Sequence, residues 1–344
     1  IQVELSRRQN QAWRYLQQEQ AEDAEQTLSE GVDMARKAGL PCWELKLESI
    51  RAQIPIYYTF NLEAAVKMAV KLTTLAREPR YEKCSERVSV YDALIHAYFY
   101  RDCIGYETEI LVAANYIETE FSREKQYRWR MQYIRAEIDL EWGRYDEAKE
   151  RIDRYLASVQ KDYPLRMADG YWMLYRLEYA RGNFSAALSA ARNHEKHNRE
   201  GEYQRGTADS QLVQAVCSKH LANVGIAQAT LQRAVAHYKQ YNLARTLLYY
   251  DALATFHELD GNLETAYSLR REQFETLSDH GNLLDLAKAH LQHIRLCGRM
   301  QKPLEDPIQA AYIFKEDLRK SDWFMERLQA IMNGNYYEFP WQAP

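Results

Sequence analysis

The sequence has few residues that interrupt helices and no excess of basic charge. Its 344 residues include only 13 Gly and 8 Pro, fewer than a fold with a turn every ~8–12 residues requires, which argues against an all-β protein. Lys and Arg number 45 against 49 Asp and Glu, a formal net charge of −4. Direct binding to nucleic acid depends on a basic excess that this chain lacks, so we expect no nucleic-acid partner.

Long apolar runs and clustered cysteines are also missing. The mean hydropathy is −0.61, and no apolar stretch is long enough to cross a bilayer, so we expect no membrane partner. The cysteines lie far apart, are odd in number and have no C-x-x-C spacing, which predicts neither a disulfide framework nor a zinc site. We expect them to be small buried side chains in a reducing cytoplasm. They are Cys42, Cys84, Cys103, Cys217 and Cys297.

Motifs for catalysis and for cofactors are absent as well. The sequence contains no G-x-S-x-G, Walker A or G-x-G-x-x-G motif. His194 and His197 are one residue too close for H-E-x-x-H, and His290 and His293 lack a third ligand nearby in the sequence. We therefore predict a protein without catalytic activity, cofactor or metal.

What the sequence does contain is a turn pattern that recurs about every 40 residues. A small residue is followed by Asn or Arg, by an apolar residue, and by Ala three positions further on. The clear copies are Gly143–Ala148, Gly182–Ala187 and Gly261–Ala266. Weaker copies run over 19–24, 60–65 and 222–227, and a degenerate one falls near Arg101.

Helix-stop residues form a second series, about half a period out of phase with the first, which predicts two helices per repeat. Apolar residues at spacings of three and four predict helices over 124–142, 146–159 and 243–259. We expect seven helix pairs up to residue 281 and a looser eighth pair over 283–298 and 304–319. A last helix should follow near 322–332, before an irregular tail. Pro55 should kink the helix over 42–59.

These turns resemble the signature of the tetratricopeptide repeat (TPR) family. That family also favours a small residue seven positions before the turn glycine, where Ala12, Ala136, Ala215 and Ala254 stand here, whereas Gln53, Leu94 and Tyr175 depart from the pattern. The period of about 40 exceeds the ~34 residues of the usual TPR unit. Units of this length are similar to those of maltose-regulator-like activators and of quorum-peptide-binding Rap-type regulators.

The repeats predict an all-α fold, and the resemblance implies a right-handed superhelical solenoid of about seven to eight antiparallel helix pairs. We expect residues 1–300 to form the array and residues 301–344 to form a C-terminal helical cap with an irregular tail.

The resemblance also implies a concave face lined by the first helix of each pair. The chain has 26 Tyr, and tyrosine suits partner surfaces because it joins a large apolar ring to a hydroxyl. The alternative is that these rings only fill contacts between helices. The residues predicted to line the face are Tyr57, Tyr91, Tyr98, Tyr133, Glu137, Trp172, Arg176, Tyr179 and Lys219.

These features favour a cytoplasmic scaffold that binds a protein or peptide on its concave face without catalysis, and that could also self-associate. The alternative is a ligand-responsive regulatory sensor domain of a larger signalling or transcription-regulating protein. The long repeat and the start at Ile1 rather than Met motivate that alternative.

Overall fold

The computed structural model describes residues 1–18, 20–59, 61–121, 125–159, 163–241, 247–277 and 282–334. Their regular structure is entirely helical, which confirms the predicted all-α class. No helix in these ranges has both the length and the apolar character needed to cross a membrane. Residues 19 and 60, which open two of the weaker turn copies, and the tail from 335 lie outside the described residues.

The chain divides into two compact units. The first contains Ile1–Tyr127 and Asp279–Leu284, and the second contains Arg128–Ser278 and Asp285–Pro344. The helices of the first unit are α1 (Gln2–Gln17), α2 (Ala21–Lys37), α3 (Pro41–Arg51), α4 (Ile54–Tyr57), α5 (Leu62–Leu75), α6 (Arg87–Asp102) and α7 (Glu107–Glu120).

The remaining helices lie wholly or mostly in the second unit. They are α8 (Lys125–Trp142), α9 (Tyr145–Ser158), α10 (Pro164–Ala180), α11 (Phe184–Glu200), α12 (Gln204–His220), α13 (Val224–Gln240), α14 (Leu247–Leu259), α15 (Leu263–Leu277), α16 (Leu283–Arg299), α17 (Glu305–Phe314) and α18 (Asp322–Met332). Short 3₁₀ turns occur at Pro79–Tyr81 and Lys315–Asp317.

The helices form antiparallel pairs, as predicted. In each pair we call the helix before the repeated turn the first helix and the one after it the second helix. The first helices are α1, α3 with α4, α6, α8, α10, α12, α14 and α16. The predicted helices over 124–142 and 146–159 are α8 and α9, and the looser eighth pair is α16 and α17. The predicted helix over 243–259 is described from Leu247 onward.

Pro55 divides the first helix of the second pair, where a kink was expected. The helix α3 ends at Arg51 and α4 begins at Ile54, so Pro55 occupies an early position of a new helix. Proline has no N–H to donate to the preceding turn, and it is tolerated at this position because the first N–H groups of a helix have no partner within that helix.

Fully buried alanines occupy the repeated positions of the pattern. Each has a relative exposure of 0%, in agreement with the need for a small residue at these places. The alanines of the turn pattern are Ala24, Ala65, Ala148, Ala187, Ala227 and Ala266. The alanines that stand seven residues before a turn are Ala12, Ala136, Ala215 and Ala254.

The repeated turns place their first residue in the left-handed region of φ. Gly143, Gly182 and Gly261 have φ of +78°, +74° and +78°. Ala222 takes the same place in its own copy, with φ of +59°, although a Cβ is unfavourable there. The turns at Gly182 and Ala222 also form the same backbone hydrogen bond. Asn183 N–H donates to the carbonyl of Glu178 at 2.8 Å, and Asn223 N–H donates to the carbonyl of Ser218 at 2.9 Å.

Buried ion pairs join three helices of the second unit. Arg295 on α16 donates to both carboxylate oxygens of Glu258 on α14, at 2.7 and 2.6 Å. Arg270 on α15 is fully buried and pairs with Asp251 on α14. Burial, with the nearby charge of Arg295, lowers the pKa of Arg270 well below its usual value. These pairs fix α14, α15 and α16 to each other because a buried charge without its partner is strongly unfavourable.

A disulfide joins Cys42, at the start of α3, to Cys84, which follows the Pro79–Tyr81 turn. The expectation that the sequence contains no disulfide is therefore wrong. The two residues are 42 positions apart in sequence, about one repeat, and stacking of neighbouring units brings their Cα atoms to 5.1 Å. The other cysteines, Cys103, Cys217 and Cys297, are buried and free, as expected.

Substitution Cys42→Ser should lower the free energy of unfolding by about 2–4 kcal/mol, because the bond restricts the unfolded chain across a long loop. Urea unfolding followed by far-UV circular dichroism measures this change. Dithiothreitol should destabilise the wild type by a similar amount and leave Cys42→Ser unaffected. Equal sensitivity of both proteins to the reductant would contradict the pairing.

Substitution Ala222→Gly should raise the free energy of unfolding by about 0.5–1 kcal/mol, because relief of left-handed strain exceeds the added entropy of the unfolded chain. The matched change Gly182→Ala, at the equivalent turn, should lower it by about 1 kcal/mol. Thermal unfolding of both variants beside the wild type tests the pair. A loss of stability in Ala222→Gly would refute the equivalence of the two turns.

Candidate binding surface

The residues predicted to line the concave face all lie on first helices, and they fall in both units. The first unit contains Tyr57 on α4 with Tyr91 and Tyr98 on α6, and the second contains Tyr133 and Glu137 on α8, Trp172, Arg176 and Tyr179 on α10, and Lys219 on α12. Tyr57, Tyr98, Tyr133, Trp172 and Lys219 retain solvent-accessible surface, while Tyr91, Glu137, Arg176 and Tyr179 are buried.

In the first unit, Tyr57 belongs to an aromatic patch with His96 and Tyr100 of α6. The ring of Tyr57 meets that of Tyr100 edge-on at 5.6 Å and lies 6.1 Å from the imidazole of His96. Tyr57 and Tyr100 each expose 37% of their surface. We call these three residues the α4–α6 aromatic patch. It is an open apolar surface with hydroxyl groups, which is the composition found at protein interfaces.

The other two tyrosines of α6 differ in exposure. Tyr98 is half-buried and its ring stacks on that of Tyr106 at 4.4 Å. Tyr91 is buried, with its ring 4.2 Å from that of Tyr116, and its hydroxyl accepts a hydrogen bond from Arg77 Nε at 3.4 Å. Tyr91 therefore fills a contact between helices, which was the alternative to a role on the concave face.

In the second unit, Tyr133 and Trp172 are half-buried aromatic residues on successive first helices. The ring of Tyr133 lies 6.1 Å from that of Tyr155. Trp172 packs against Tyr175 at 5.3 Å and against the imidazole of His194 at 5.2 Å. Burial lowers the pKa of His194 to about 3. The imidazole that packs against Trp172 is therefore uncharged at neutral pH.

Tyr179 and Lys219 have partners within the second unit. The ring of Tyr179 is fully buried, and its hydroxyl is hydrogen bonded to His220 Nε2 at 2.9 Å. The ammonium of Lys219 pairs with Asp260 and lies 5.3 Å from the centre of the Phe256 ring. The charged end of Lys219 thus lies over the face of an aromatic ring.

Arg176 and Glu137 form a buried ion-pair cluster with two further residues. The Arg176 guanidinium donates to Glu137 and, at 2.7 Å, to Glu141 of the same helix, α8. The ammonium of Lys288 on α16 donates to Glu141 at 2.8 Å. We call these four residues the Arg176 cluster. It connects α8, α10 and α16 through charges that are almost completely removed from solvent.

The two carboxylates of the Arg176 cluster respond differently to their surroundings. Burial raises the pKa of Glu137 above its usual value, and the attraction of Arg176 offsets this only in part. Burial acts in the same direction on Glu141, but the charges of Lys288 and Arg176 outweigh it and hold the pKa of Glu141 below its usual value. Glu141 is therefore the carboxylate that anchors both cations.

The C-terminal helix α18 adds a neutral contact at the same place. The indole N–H of Trp323 donates to the backbone carbonyl of Glu141 at 3.1 Å, and the Trp323 side chain is buried. The chain's own helices α16 and α18 therefore occupy the space beside Glu137 and Arg176. Glu137 and Arg176 each stand six positions before a turn glycine, Gly143 and Gly182, so the sequence carries a signal for their proximity. It carries none for Lys288 or Trp323.

One group of potential metal ligands occurs among the described residues: Cys42, Cys84 and Glu86. Its two sulfur atoms are bonded to each other in the disulfide, and a disulfide does not supply the thiolates that a metal requires.

Substitution Arg176→Met should lower the free energy of unfolding by about 3–5 kcal/mol, since it leaves two buried carboxylates with only Lys288 as a cation. The matched control is Arg154→Met, which removes an exposed arginine paired with Glu150 and should cost less than about 1 kcal/mol. Chemical denaturation of both variants measures the difference. Similar losses in the two variants would show that the Arg176 cluster is not buried in solution.

No family model matches the sequence, and no curated protein matches it. The structure is similar to two solved structures of Rap proteins. One is a Rap protein complexed with competence and sporulation factor, with a TM-score of 0.55 and 12% sequence identity over 84% of this chain and 81% of that chain. The other is the apo form of RapI, with a TM-score of 0.55 and 11% identity over 97% of this chain and 99% of that chain. At this low sequence identity, the similarity shows the fold alone. The chain has the fold of a TPR-like helical repeat array.

Proposed function

We propose that this chain is a binding protein that holds a peptide, or an extended segment of a protein, on the partly exposed aromatic side chains of its first helices. The likeness in fold to a Rap protein complexed with competence and sporulation factor supports this proposal, because the similarity extends over 84% of this chain.

The observation that carries the proposal is the exposure of aromatic rings on first helices within each unit. Tyr57 and Tyr100 belong to the first unit, and Tyr133 and Trp172 to the second. A partly exposed ring that becomes covered by a partner loses its remaining apolar contact with water, which contributes about 25 cal/mol per Å². Tyrosine and tryptophan also lose little rotamer entropy on binding, and their polar atoms can form hydrogen bonds.

The buried members of the predicted set have a supporting role in this proposal. Glu137 and Arg176 hold α8 and α10 together. Tyr91 packs against Tyr116, and Tyr179 packs against Phe184. The proposed contact residues are therefore Tyr57, Tyr98, Tyr133, Trp172 and Lys219.

Binding without catalysis is the better account of this surface. The charged groups of the predicted set are engaged with partners of opposite charge: Arg176 with Glu137 and Glu141, and Lys219 with Asp260. A general acid or base needs a proton that it can exchange with a bound substrate, whereas these groups serve to position helices.

Selection of a displayed peptide library on the immobilised full chain, followed by titration of the enriched peptides, tests the proposal. The variants Tyr57→Ala and Trp172→Ala address the two units separately. Loss of a central aromatic contact typically costs about 2 kcal/mol, so at least one of them should weaken binding by about thirtyfold.

The matched control is Tyr312→Ala on α17, a tyrosine that is 38% exposed and thus similar to Tyr57. It should leave the affinity unchanged, and thermal unfolding should show that all three variants remain folded. The proposal fails if no peptide binds saturably, or if Tyr312→Ala weakens binding as much as the first-helix variants do.

A further inference from the structure

A cavity of about 490 Å³ lies between α15, α16 and α17, away from the proposed contact residues on the first helices. All of its lining residues belong to the second unit. Its volume is within the range of small-molecule sites in proteins.

The walls of this cavity are aromatic. Tyr267 and Phe274 come from α15, and His290 and His293 from α16. The ring of Phe274 meets that of His290 edge-on at 4.4 Å, and the ring of Tyr267 lies 5.2 Å from that of His293. Burial, with a small contribution from His293, lowers the pKa of His290 to about 4, so this wall is uncharged at neutral pH. The walls therefore suit a flat apolar group.

One residue of the wall, His293, has a ring nitrogen without a hydrogen-bond partner. Its Nε2 atom is 3.7 Å from Cys297 Sγ, and burial raises the pKa of the Cys297 thiol, which therefore keeps its proton. Its Nδ1 atom is buried and has no hydrogen-bond partner among the described residues. A buried polar atom without a partner is unfavourable.

Positive charge dominates the electrostatic environment of His293. Burial lowers the pKa of His293, and the charges that add to this effect are all cationic: Arg270, Arg271 and Lys302. Acidic residues are present at the cavity as well, because Glu275 and Asp306 line it. An anion beside His293 would thus meet a favourable field.

The two cations at the rim have only weak competing partners. Lys302 lies 3.7 Å from the centre of the Tyr267 ring and 3.1 Å from Glu264, whose side chain is almost fully exposed. Arg271 and Glu275 are both exposed and lie 3.8 Å apart. Ion pairs of this kind contribute little to stability, so either cation can turn toward a ligand at small cost.

We propose that this cavity binds a small aromatic carboxylate. The ring lies between Tyr267, Phe274 and His290, and the carboxylate faces Lys302 and Arg271. This site is separate from the proposed peptide-binding surface, and it adds a second ligand of a different chemical class.

Isothermal titration of the full chain with N-acetyl-phenylalanine tests the charge requirement. Its amide, N-acetyl-phenylalaninamide, has the same ring without the anion and is the matched control ligand. The acid should bind saturably and about tenfold or more tightly than the amide, because a charge-assisted hydrogen bond is lost with the carboxylate. Absence of saturable binding by the acid at concentrations up to about 10 mM, or equal affinity for the two ligands, would overturn the proposal.

Two variants locate the bound acid. Lys302→Met should weaken binding of the acid by about tenfold and have little effect on the amide. The matched control is Lys315→Met, because Lys315 also lies over a tyrosine ring, that of Tyr312 at 5.5 Å, but does not line the cavity. It should bind the acid as the wild type does.

Ala310→Trp keeps every cation in place and fills the cavity from the exposed surface of α17. It should abolish binding of both ligands, with an unchanged melting temperature in the absence of ligand. Wild-type affinity in Ala310→Trp, or an equal effect of the two lysine variants, would show that the acid binds elsewhere and would refute the site.

Discussion

Full burial of alanines at repeated positions of the helix pairs is the constraint on which the rest of the structure depends. No solvent-accessible surface remains on Ala136, Ala215 and Ala254 of the first helices, or on Ala148 and Ala187 in the first turns of second helices. A larger residue would move the helices apart, because protein interiors are packed at the density of organic crystals. The spacing set by these alanines lets each turn and each stacked pair repeat with the same geometry.

Buried charges determine how the second unit is held together and where it can accept a ligand. Lys288 links α16 to Glu141 on α8, while Arg295 links the same helix to Glu258 on α14. Glu141, which Lys288 also contacts, pairs with Arg176, so the proposed partner surface consists of the exposed aromatic residues instead. At the cavity beside α15, the cations Lys302 and Arg271 have only weak partners at the surface. Buried, paired charges thus serve the fold, and cations in weak surface pairs carry the inference of a ligand.

The repeat explains which parts of the fold and the surface could be predicted. Local signals such as Gly182, with its left-handed φ, and Pro55, at a helix break, act through the backbone of their own turn, so the sequence reveals them. Exposure of a particular ring is not local. Tyr57 and Tyr179 occupy comparable first-helix positions, yet one is 37% exposed and the other 0%. The difference depends on which neighbouring helices cover each ring.

The sequence by itself determined the all-α class, the pairing of helices and the period of about 40 residues, because helix caps and hydrophobic spacing act over a few residues. Only the tertiary structure decided that Cys42 bonds to Cys84 and that Lys288 reaches Glu141, 147 positions away. Contacts at such separations depend on the summed rotations of every intervening helix. Small departures from the ideal repeat accumulate along the stack, and no short pattern in the sequence encodes their total.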